Sequence, residues 1–175
     1  ITAMGPAGAG LEERIPARGG MRHLSLLYQH LARPRGSGGG SFGALLAESA
    51  PLLGSRGVVM VVSDLLDDLE PTFAALKNIA VRDQDVTVFQ VLDRAELEFP
   101  YDRLTEFRHP ESGAKVVGDP NALRARYLQK LGEHLEQIEQ FCKKARIDYV
   151  RLHNGEDLVK LLRSHFLRRL MYKAL

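Results

Sequence analysis

Acidic side chains follow an unbroken apolar run near the middle of the chain. Residues 58–62 read Val-Val-Met-Val-Val and lead directly into Ser63 and Asp64, with Asp67 and Asp68 close behind. Carboxylate and hydroxyl oxygens are the ligands that a hard cation such as Mg²⁺ prefers. Acids in this position also stabilise the N-terminus of a following helix. The residues alone leave both interpretations open.

A glycine-rich loop, Gly38-Gly39-Gly40-Ser41, precedes a predicted helix. Glycines let backbone N–H groups approach a ligand closely, and a helix N-terminus favours an anion. The loop has no Lys after its glycines and no Val-rich strand before it, although a nucleotide-binding P-loop needs both. We therefore favour a flexible loop in which the Ser41 hydroxyl caps the helix.

A second acidic loop follows another apolar run and contains Asp93, Glu96 and Glu98. These acids predict a solvated rim rather than a general acid/base pair. The predicted rim of an interaction surface consists of Ser63, Asp67, Asp68 and Asp93.

Several enzyme and partner classes lack the residues that they need. The six histidines and the lone Cys142 show no zinc-ligand spacing, and no Gly-x-Ser-x-Gly elbow is present. Positive and negative charges are well mixed, with a net charge of +2, so no nucleic-acid surface is predicted. The C-terminal cations predict a solvated helix end and comprise Arg163, His165, Arg168, Arg169 and Lys173.

Compartment and membrane association follow from cysteine use and hydropathy. Cys142 falls in the apolar register of a long helix, which favours a packed thiol over a nucleophile. A single cysteine fits a reducing compartment. No apolar run approaches the roughly 20 residues that a bilayer span needs, and the first ten residues carry no positive charge as a signal peptide would. We expect a cytoplasmic protein without membrane association.

Strand-like and helix-like patterns alternate along the 175 residues and predict one α/β layered domain. The run at 58–62 predicts a strand that is buried on both faces, as in a parallel sheet covered by helices. Ligands of such sheets bind outside the carboxyl ends of the strands, where Asp64 lies. Further strands are predicted at 86–92 and 147–152, an N-terminal hairpin at 1–15, and a small hairpin excursion at 94–118. Asp119-Pro120 marks the start of the clearest helix, with Asp as its cap and Pro in its first turn.

Several segments, taken together, resemble a bacterial domain-of-unknown-function family with a von Willebrand factor A-like fold. Members of that family are commonly encoded beside MoxR-type AAA+ ATPases. The resemblance covers nearly the whole chain. It rests on Ile15-Pro16-Ala17-Arg18-Gly19-Gly20, Gly38-Gly39-Gly40-Ser41, Arg56-Gly57 through Ser63-Asp64-Leu65-Leu66-Asp67-Asp68, Val88-Phe89-Gln90-Val91-Leu92-Asp93-Arg94-Ala95-Glu96-Leu97-Glu98-Phe99-Pro100 and Ile147-Asp148-Tyr149-Val150. It implies a Rossmann-type layered sheet with helices on both faces.

The resemblance also implies a metal-ion-dependent adhesion site that holds Mg²⁺ at the top of the sheet. Such a site uses an Asp-x-Ser-x-Ser motif, a Thr from a later loop and an Asp after the central strand. By motif, Ser41 falls at the Thr position and Asp64 at the final Asp position. The chain contains no Asp-x-Ser-x-Ser, so these two residues form an incomplete site.

By the family pattern, the absent motif would lie before Ile1, with the first strand and helix. The chain begins as if in mid-strand, and we expect it to be the C-terminal portion of the domain. The alternative is a degenerate protein that binds no metal. Removing a central strand from a parallel sheet exposes a ladder edge. Self-association through that edge is therefore expected.

Two functions of different classes remain open from the sequence. The resemblance implies a non-enzymatic interaction domain that works with a MoxR-type AAA+ ATPase in assembly or maturation of another protein complex. The alternative is a metal-dependent phosphoryl-transfer or hydrolytic enzyme that uses Asp64 and the 38–41 loop.

Overall fold

The structure is a computed structural model that describes residues 4–7, 10–32, 41–103, 105–108 and 115–173. In chain order its elements are β1 (Met4–Ala7), β2 (Gly10–Arg14), α1 (Met21–Leu31), α2 (Phe42–Ser49), β3 (Gly57–Ser63), α3 (Leu69–Ala80), β4 (Gln84–Leu92), α4 (Arg94–Glu98), β5 (Thr105–Arg108), β6 (Lys115–Gly118), α5 (Pro120–Ala145), β7 (Asp148–His153) and α6 (Leu158–Lys173). These alternating strands and helices confirm the predicted α/β class.

The chain divides into two compact units. One comprises Ile1–Gly57 and Leu65–Gln84, and the other comprises Val58–Asp64 and Asp85–Leu175. The second unit contains a three-stranded parallel sheet in the order β3-β4-β7. Thr87 lies opposite Asp148 in the register of β4 and β7. The single domain predicted over residues 1–175 stays a prediction.

Helix α6 packs against one face of the sheet at β4 and β7, and helix α5 contacts β7. Side chains alternate between the faces of a strand. On one face, Phe89, Val150 and Leu152 are buried against two leucines of α6, Leu161 and Leu162. On the opposite face, Arg151 lies 3.7 Å from Glu139 of α5. Helix α6 therefore packs on β4 and β7, whereas α5 contacts β7.

Strand β3 differs from its prediction. Val61 is buried, but Val58, Met60 and Val62 are 62%, 53% and 64% exposed. The prediction that residues 58–62 are buried on both faces is therefore wrong. Its physical cause is position, because β3 is the end strand of the described sheet, whereas α5 and α6 contact the other two strands.

Two of the C-terminal cations that were predicted to be solvated, His165 and Arg169 of helix α6, are largely buried. The His165 ring is only 6% exposed and contacts the Phe89 ring edge to face, with centroids 5.6 Å apart. The Arg169 guanidinium donates to Asp85 and to Thr87, and it lies 3.3 Å from Asp148. The predicted solvated helix end is thus wrong for His165 and Arg169.

The first unit combines the antiparallel hairpin β1–β2 with α2 and α3. Gly43 of α2 makes the close approach to α3 possible, since a Cβ built on it would lie 2.7 Å from Pro71 and from the backbone nitrogen of Thr72. Arg82 and Gln84 lie at the C-terminal end of this unit. Their side chains donate hydrogen bonds to the backbone carbonyls of Ala50 and Gly54 in the same unit.

The excursion at 94–118 contains the predicted hairpin, formed by the antiparallel strands β5 and β6. Its first five residues form the helix α4 instead of the predicted acidic loop. Phe99 ends this helix in the left-handed region, with φ of 46°, and its buried ring packs 4.8 Å from the ring of Tyr127.

Across the described ranges, no helix has both the length and the apolar character that crossing a membrane requires.

Candidate functional site

The candidate site lies at the carboxyl ends of the three parallel strands. Asp64 follows β3, Asp93 follows β4 and Asn154 follows β7. Because parallel strands present their carboxyl ends at one edge of a sheet, these three residues share that edge. All three belong to the second unit, so their placement depends on one compact body.

Asp64 is anchored to the core through its backbone. Its carbonyl accepts a hydrogen bond from the side-chain amide of Gln90 over 2.9 Å, and Gln90 is 0% exposed. The side-chain carbonyl oxygen of Gln90, Oε1, in turn accepts a hydrogen bond from the hydroxyl of Tyr149 on β7. The Asp64 residue itself is exposed. A buried link across all three strands therefore holds an acid at the surface.

Burial also governs the Tyr149 hydroxyl. Desolvation raises the pKa of Tyr149, although the neighbouring Arg151 opposes that shift. The phenol consequently stays protonated and able to donate to Gln90 throughout the neutral range. The link from β7 to Asp64 is thus independent of pH near neutrality.

Asp93 joins two of the strand ends. One of its oxygens accepts from the backbone N–H of Ala95 over 2.7 Å, and the other accepts from the Asn154 side-chain amide over 2.7 Å. Asn154 also accepts from the backbone N–H of Arg94 over 3.0 Å. Both oxygens of the Asp93 carboxylate therefore serve to fix the turns after β4 and β7.

The two glutamates near Asp93 also hold the local structure. Glu96 accepts from the backbone N–H of Asp93 over 2.8 Å and completes a capping box at the start of α4. Glu98 pairs with Arg94 one turn earlier, over 2.7 Å. The chemistry of these carboxylates at this edge is therefore that of helix caps and turn anchors.

Of the remaining predicted rim residues, Ser63 is the last residue of β3 in the second unit, whereas Asp67 and Asp68 belong to the first unit. Asp67 accepts from the backbone N–H of Phe42, the first residue of α2, over 2.7 Å. Asp68 caps α3 by accepting from the backbone N–H of Glu70 over 3.1 Å. Ser41 is the N-terminal flanking residue of α2, but its side chain makes no capping hydrogen bond. The predicted Ser41 cap is therefore wrong, and the side-chain acceptor at this end of α2 is Asp67, which bonds to the first helical N–H.

The two predicted metal ligands belong to different units, Ser41 to the first and Asp64 to the second. Binding of one metal ion by both residues therefore stays a prediction. The glycines at 38–40 lie outside the described residues. Within the described ranges, no group of three or more His, Cys, Asp or Glu residues could hold a metal ion. Ser41 and Asp64 offer oxygens suited to Mg²⁺, but two ligands are fewer than the six of its octahedral shell.

Comparison with protein families identifies the chain. Residues 4–137 match the family described as "Protein of unknown function DUF58". The chain belongs to the DUF58 family. Within this DUF58 chain, the match includes Ser41, Asp64 and Asp93, whereas β7 and α6 lie beyond it. No curated protein and no solved structure matches the chain.

Sequence reasoning missed two side chains of the DUF58 site, Gln90 and Asn154. The sequence did indicate a structural role for Gln90, because an amide inside an apolar strand needs hydrogen-bond partners when it is buried. Asn154-Gly155 had the signature of a turn. A Cβ on Gly155 would lie 3.3 Å from Arg94 and His153, so glycine permits the turn to close against α4.

Proposed function

We propose that this DUF58 domain is a non-enzymatic interaction domain. It works with a MoxR-type AAA+ ATPase in the assembly or maturation of another protein complex. The proposal draws its partner class from the family resemblance of the segments around Asp64 and Asp93. The chemistry of the sheet edge supports an interaction role.

The observation that carries the proposal is the anchoring of Asp64. Gln90 is buried and bonds the Asp64 carbonyl, while the residue remains exposed at the carboxyl end of β3. A surface acid on a fixed backbone loses little conformational freedom when it binds a partner. Asp64 therefore suits a contact with a cationic or metal-bearing surface.

The neighbouring acids support the same role. Asp93 and Glu96 accept backbone and side-chain hydrogen bonds that fix the adjacent turns. Their carboxylates are consequently engaged in maintaining the shape of the edge. A rigid edge that presents an exposed acid on an anchored backbone is suited to docking.

A narrower part of the proposal concerns Mg²⁺. When bound, the ion would supply a coordination position for a carboxylate of the partner protein. Asp64 would contribute a carboxylate oxygen, and Ser41 would contribute its hydroxyl. The other ligands would come from water and from an Asp-x-Ser-x-Ser segment that this sequence does not contain.

Co-elution of the chain with a purified MoxR-type ATPase tests the proposal, with Mg²⁺ or with chelator present. We expect a complex with wild type and with Asp102→Asn, which removes the charge of an exposed aspartate outside the strand ends. The Asp64→Asn variant should lose the complex. Failure of the wild-type chain to co-elute in both conditions would reject the interaction role. A complex that ignores chelator would reject only the Mg²⁺ part.

A further inference from the structure

The turn after β7 contains an Asn-Gly step, Asn154-Gly155, in the second unit. Asparagine is among the chemically labile residues of proteins. Its lability is greatest before glycine, because a backbone nitrogen without a neighbouring Cβ can approach the asparagine side chain closely. The other two asparagines, Asn78 and Asn121, lie in helices and precede isoleucine and alanine. This chemistry therefore concentrates at Asn154.

The structure uses both residues of this step. The Asn154 side chain donates to Asp93 over 2.7 Å and accepts from the backbone N–H of Arg94 over 3.0 Å. A Cβ built on Gly155 would lie 3.3 Å from Arg94 and from His153, closer than ordinary van der Waals contact. The amide and the glycine thus both allow the turns after β4 and β7 to close together, and side by side they create the labile step.

Deamidation at this step is an intramolecular reaction. The backbone nitrogen of Gly155 loses its proton and bonds to Cγ of Asn154, the Cγ–Nδ2 bond breaks, and Nδ2 takes up the proton and leaves as ammonia. Water is the only other reactant, and both residues are exposed to it. Hydrolysis of the five-membered imide at one carbonyl gives aspartate. Hydrolysis at the other gives isoaspartate, in which the main chain runs through Cγ.

The closed turn holds the reacting groups out of this geometry. The backbone N–H of Glu156 donates to the His153 carbonyl over 3.2 Å. Neither Asn154 nor Gly155 has a positive φ, so the four residues form a type I turn. The imide needs Cβ, Cα, C and the next nitrogen in one plane, whereas a ψ of about −30° at the first central residue of such a turn twists them far from it. The Gly155 N–H is also engaged, since it donates to Nδ1 of His153 over 3.2 Å.

We propose that Asn154 is a deamidation site that stays unreactive while the turns after β4 and β7 are joined. The reaction proceeds when the β7 turn opens and the bonds to Asp93 and Arg94 break. Either product lacks the amide donor and adds a carboxylate beside Asp93, so the two turns cannot join as before. The β7 turn is therefore a one-way switch that is driven by water. This inference does not rest on the proposed function, since it requires neither Mg²⁺ nor an ATPase.

Peptide mapping by mass spectrometry tests the site. The wild-type chain is incubated in mildly alkaline buffer, folded and in denaturing urea, and isoaspartyl methyltransferase labels the isoaspartate product. In urea, Asn154 should convert well before Asn78 and Asn121. In the folded chain, its conversion should be at least about tenfold slower, because only the open turn reacts. Equal rates at Asn154 in both states would overturn the protection by the turn, and equal rates at all three asparagines in urea would overturn the site.

Arg94→Pro tests the control by the joined turns. Arg94 is the first residue of α4, where proline is tolerated, and Asp93 has the extended conformation that precedes proline, with φ of −80° and ψ of 141°. The substitution removes only the backbone N–H that Asn154 accepts, together with an exposed side chain. Folded Arg94→Pro should deamidate at Asn154 several-fold faster than the wild type, whereas Arg94→Ala, which keeps the N–H, should match it. Equal rates for these two variants would contradict the proposal.

Asp93→Ala removes the other partner of the Asn154 side chain. The folded variant should deamidate about tenfold faster than the wild type. Asp102→Ala is the matched control, because it removes an exposed aspartate outside the strand ends and should leave the rate unchanged. Circular dichroism establishes that the variants are folded. An unaccelerated Asp93→Ala, or equal acceleration in Asp102→Ala, would show that the joined turns do not protect Asn154.

The deamidated chain itself tests the one-way step. Ion exchange separates it from unreacted chain, since each conversion adds one negative charge. The deamidated chain should unfold at a lower urea concentration, and the backbone amide of Arg94 should exchange its hydrogen faster. Asn154→Asp provides the reference for the aspartate product. An unchanged urea midpoint together with unchanged exchange would overturn the switch. Loss of ATPase binding alone would leave every result of these experiments unchanged.

Discussion

The side-chain amide of Asn154 donates to the carboxylate of Asp93 over 2.7 Å and thereby joins the turns that follow β7 and β4. The same asparagine accepts from the backbone of Arg94 at the start of α4. With the link from Gln90 to Asp64, these bonds connect all three strand ends. The edge of the sheet is consequently one hydrogen-bonded unit.

Asn154→Ala should lower the free energy of unfolding by about 1–2 kcal/mol, because it removes both hydrogen bonds of this side chain. Asn154→Asp should cost more at neutral pH, since it places a second carboxylate against Asp93. Urea unfolding measures both. Asn121→Ala, at an exposed position in the first turn of α5, should change stability little. Equal stability of Asn154→Ala and wild type would contradict the connected edge.

Alanine substitution at two helical glycines should change the stability of the fold in opposite directions. At Gly43 a Cβ would lie 2.7 Å from Pro71, so Gly43→Ala should destabilise the fold by about 2 kcal/mol or more. A Cβ placed on Gly132 of α5 would meet no neighbouring side chain or segment within 4 Å, so Gly132→Ala should stabilise by about 0.5–1 kcal/mol. Thermal unfolding of the two variants checks the pair. If Gly43→Ala were also stabilising, the close packing of α2 on α3 would be refuted.

Arg169→Leu should destabilise the fold by about 2–3 kcal/mol. Its side chain is 14% exposed, and its removal leaves the carboxylate of Asp85 and the fully buried hydroxyl of Thr87 without this donor. Arg168→Leu is the matched control, because Arg168 is exposed on the same helix. Denaturant midpoints of the two variants should differ clearly. Coincident midpoints would place Arg169 in solvent, as the sequence alone predicted.

Stability should fall with pH below neutrality because of His165. Burial lowers the pKa of this imidazole, Arg169 and Arg168 lower it further, and Asp148 opposes them. The unfolded chain, with an ordinary histidine pKa of about 6.5, therefore binds the proton more readily than the folded chain. The contribution of His165 is complete above that pKa and is lost as the pH falls towards the lowered folded pKa.

His165→Gln should flatten this dependence when unfolding free energies are measured between about pH 7.5 and pH 5. His134→Gln, in the middle of α5, serves as the control. An unchanged slope in His165→Gln would mean that the imidazole is accessible to solvent in the folded chain.

The sequence predicted those elements whose signals are local. Asp119 and Pro120 begin α5 in the structure, with Asp119 capping the helix by accepting from Asn121. The strands predicted at 86–92 and 147–152 correspond to β4 and β7. Helix caps and continuous apolar runs depend on neighbouring residues, so a single segment of the sequence is enough to predict each of them.

The wrong predictions concern residues whose contacts are made with partners that are distant along the chain. The N-terminus of α2 is bonded by Asp67, which is 25 residues away from Phe42, and no local pattern favours it over the adjacent Ser41. Whether β3 is covered depends on which elements lie beside it, and its own residues do not encode that. His165 and Arg169 did carry a signal, since they continue the helical spacing of Leu158, Leu161 and Leu162. The prediction that they are exposed to solvent was based on their charge alone.

Equilibrium titration of a purified MoxR-type ATPase with this chain in Mg²⁺ tests the central proposal most directly. Fluorescence anisotropy of the labelled chain, wild type against Asp64→Asn, gives the two Kd values. We predict saturable one-site binding whose Kd rises at least about tenfold in Asp64→Asn and stays unchanged in Asp102→Asn. Equal Kd values for Asp64→Asn and wild type, or no saturable binding by the wild-type chain, would contradict the account.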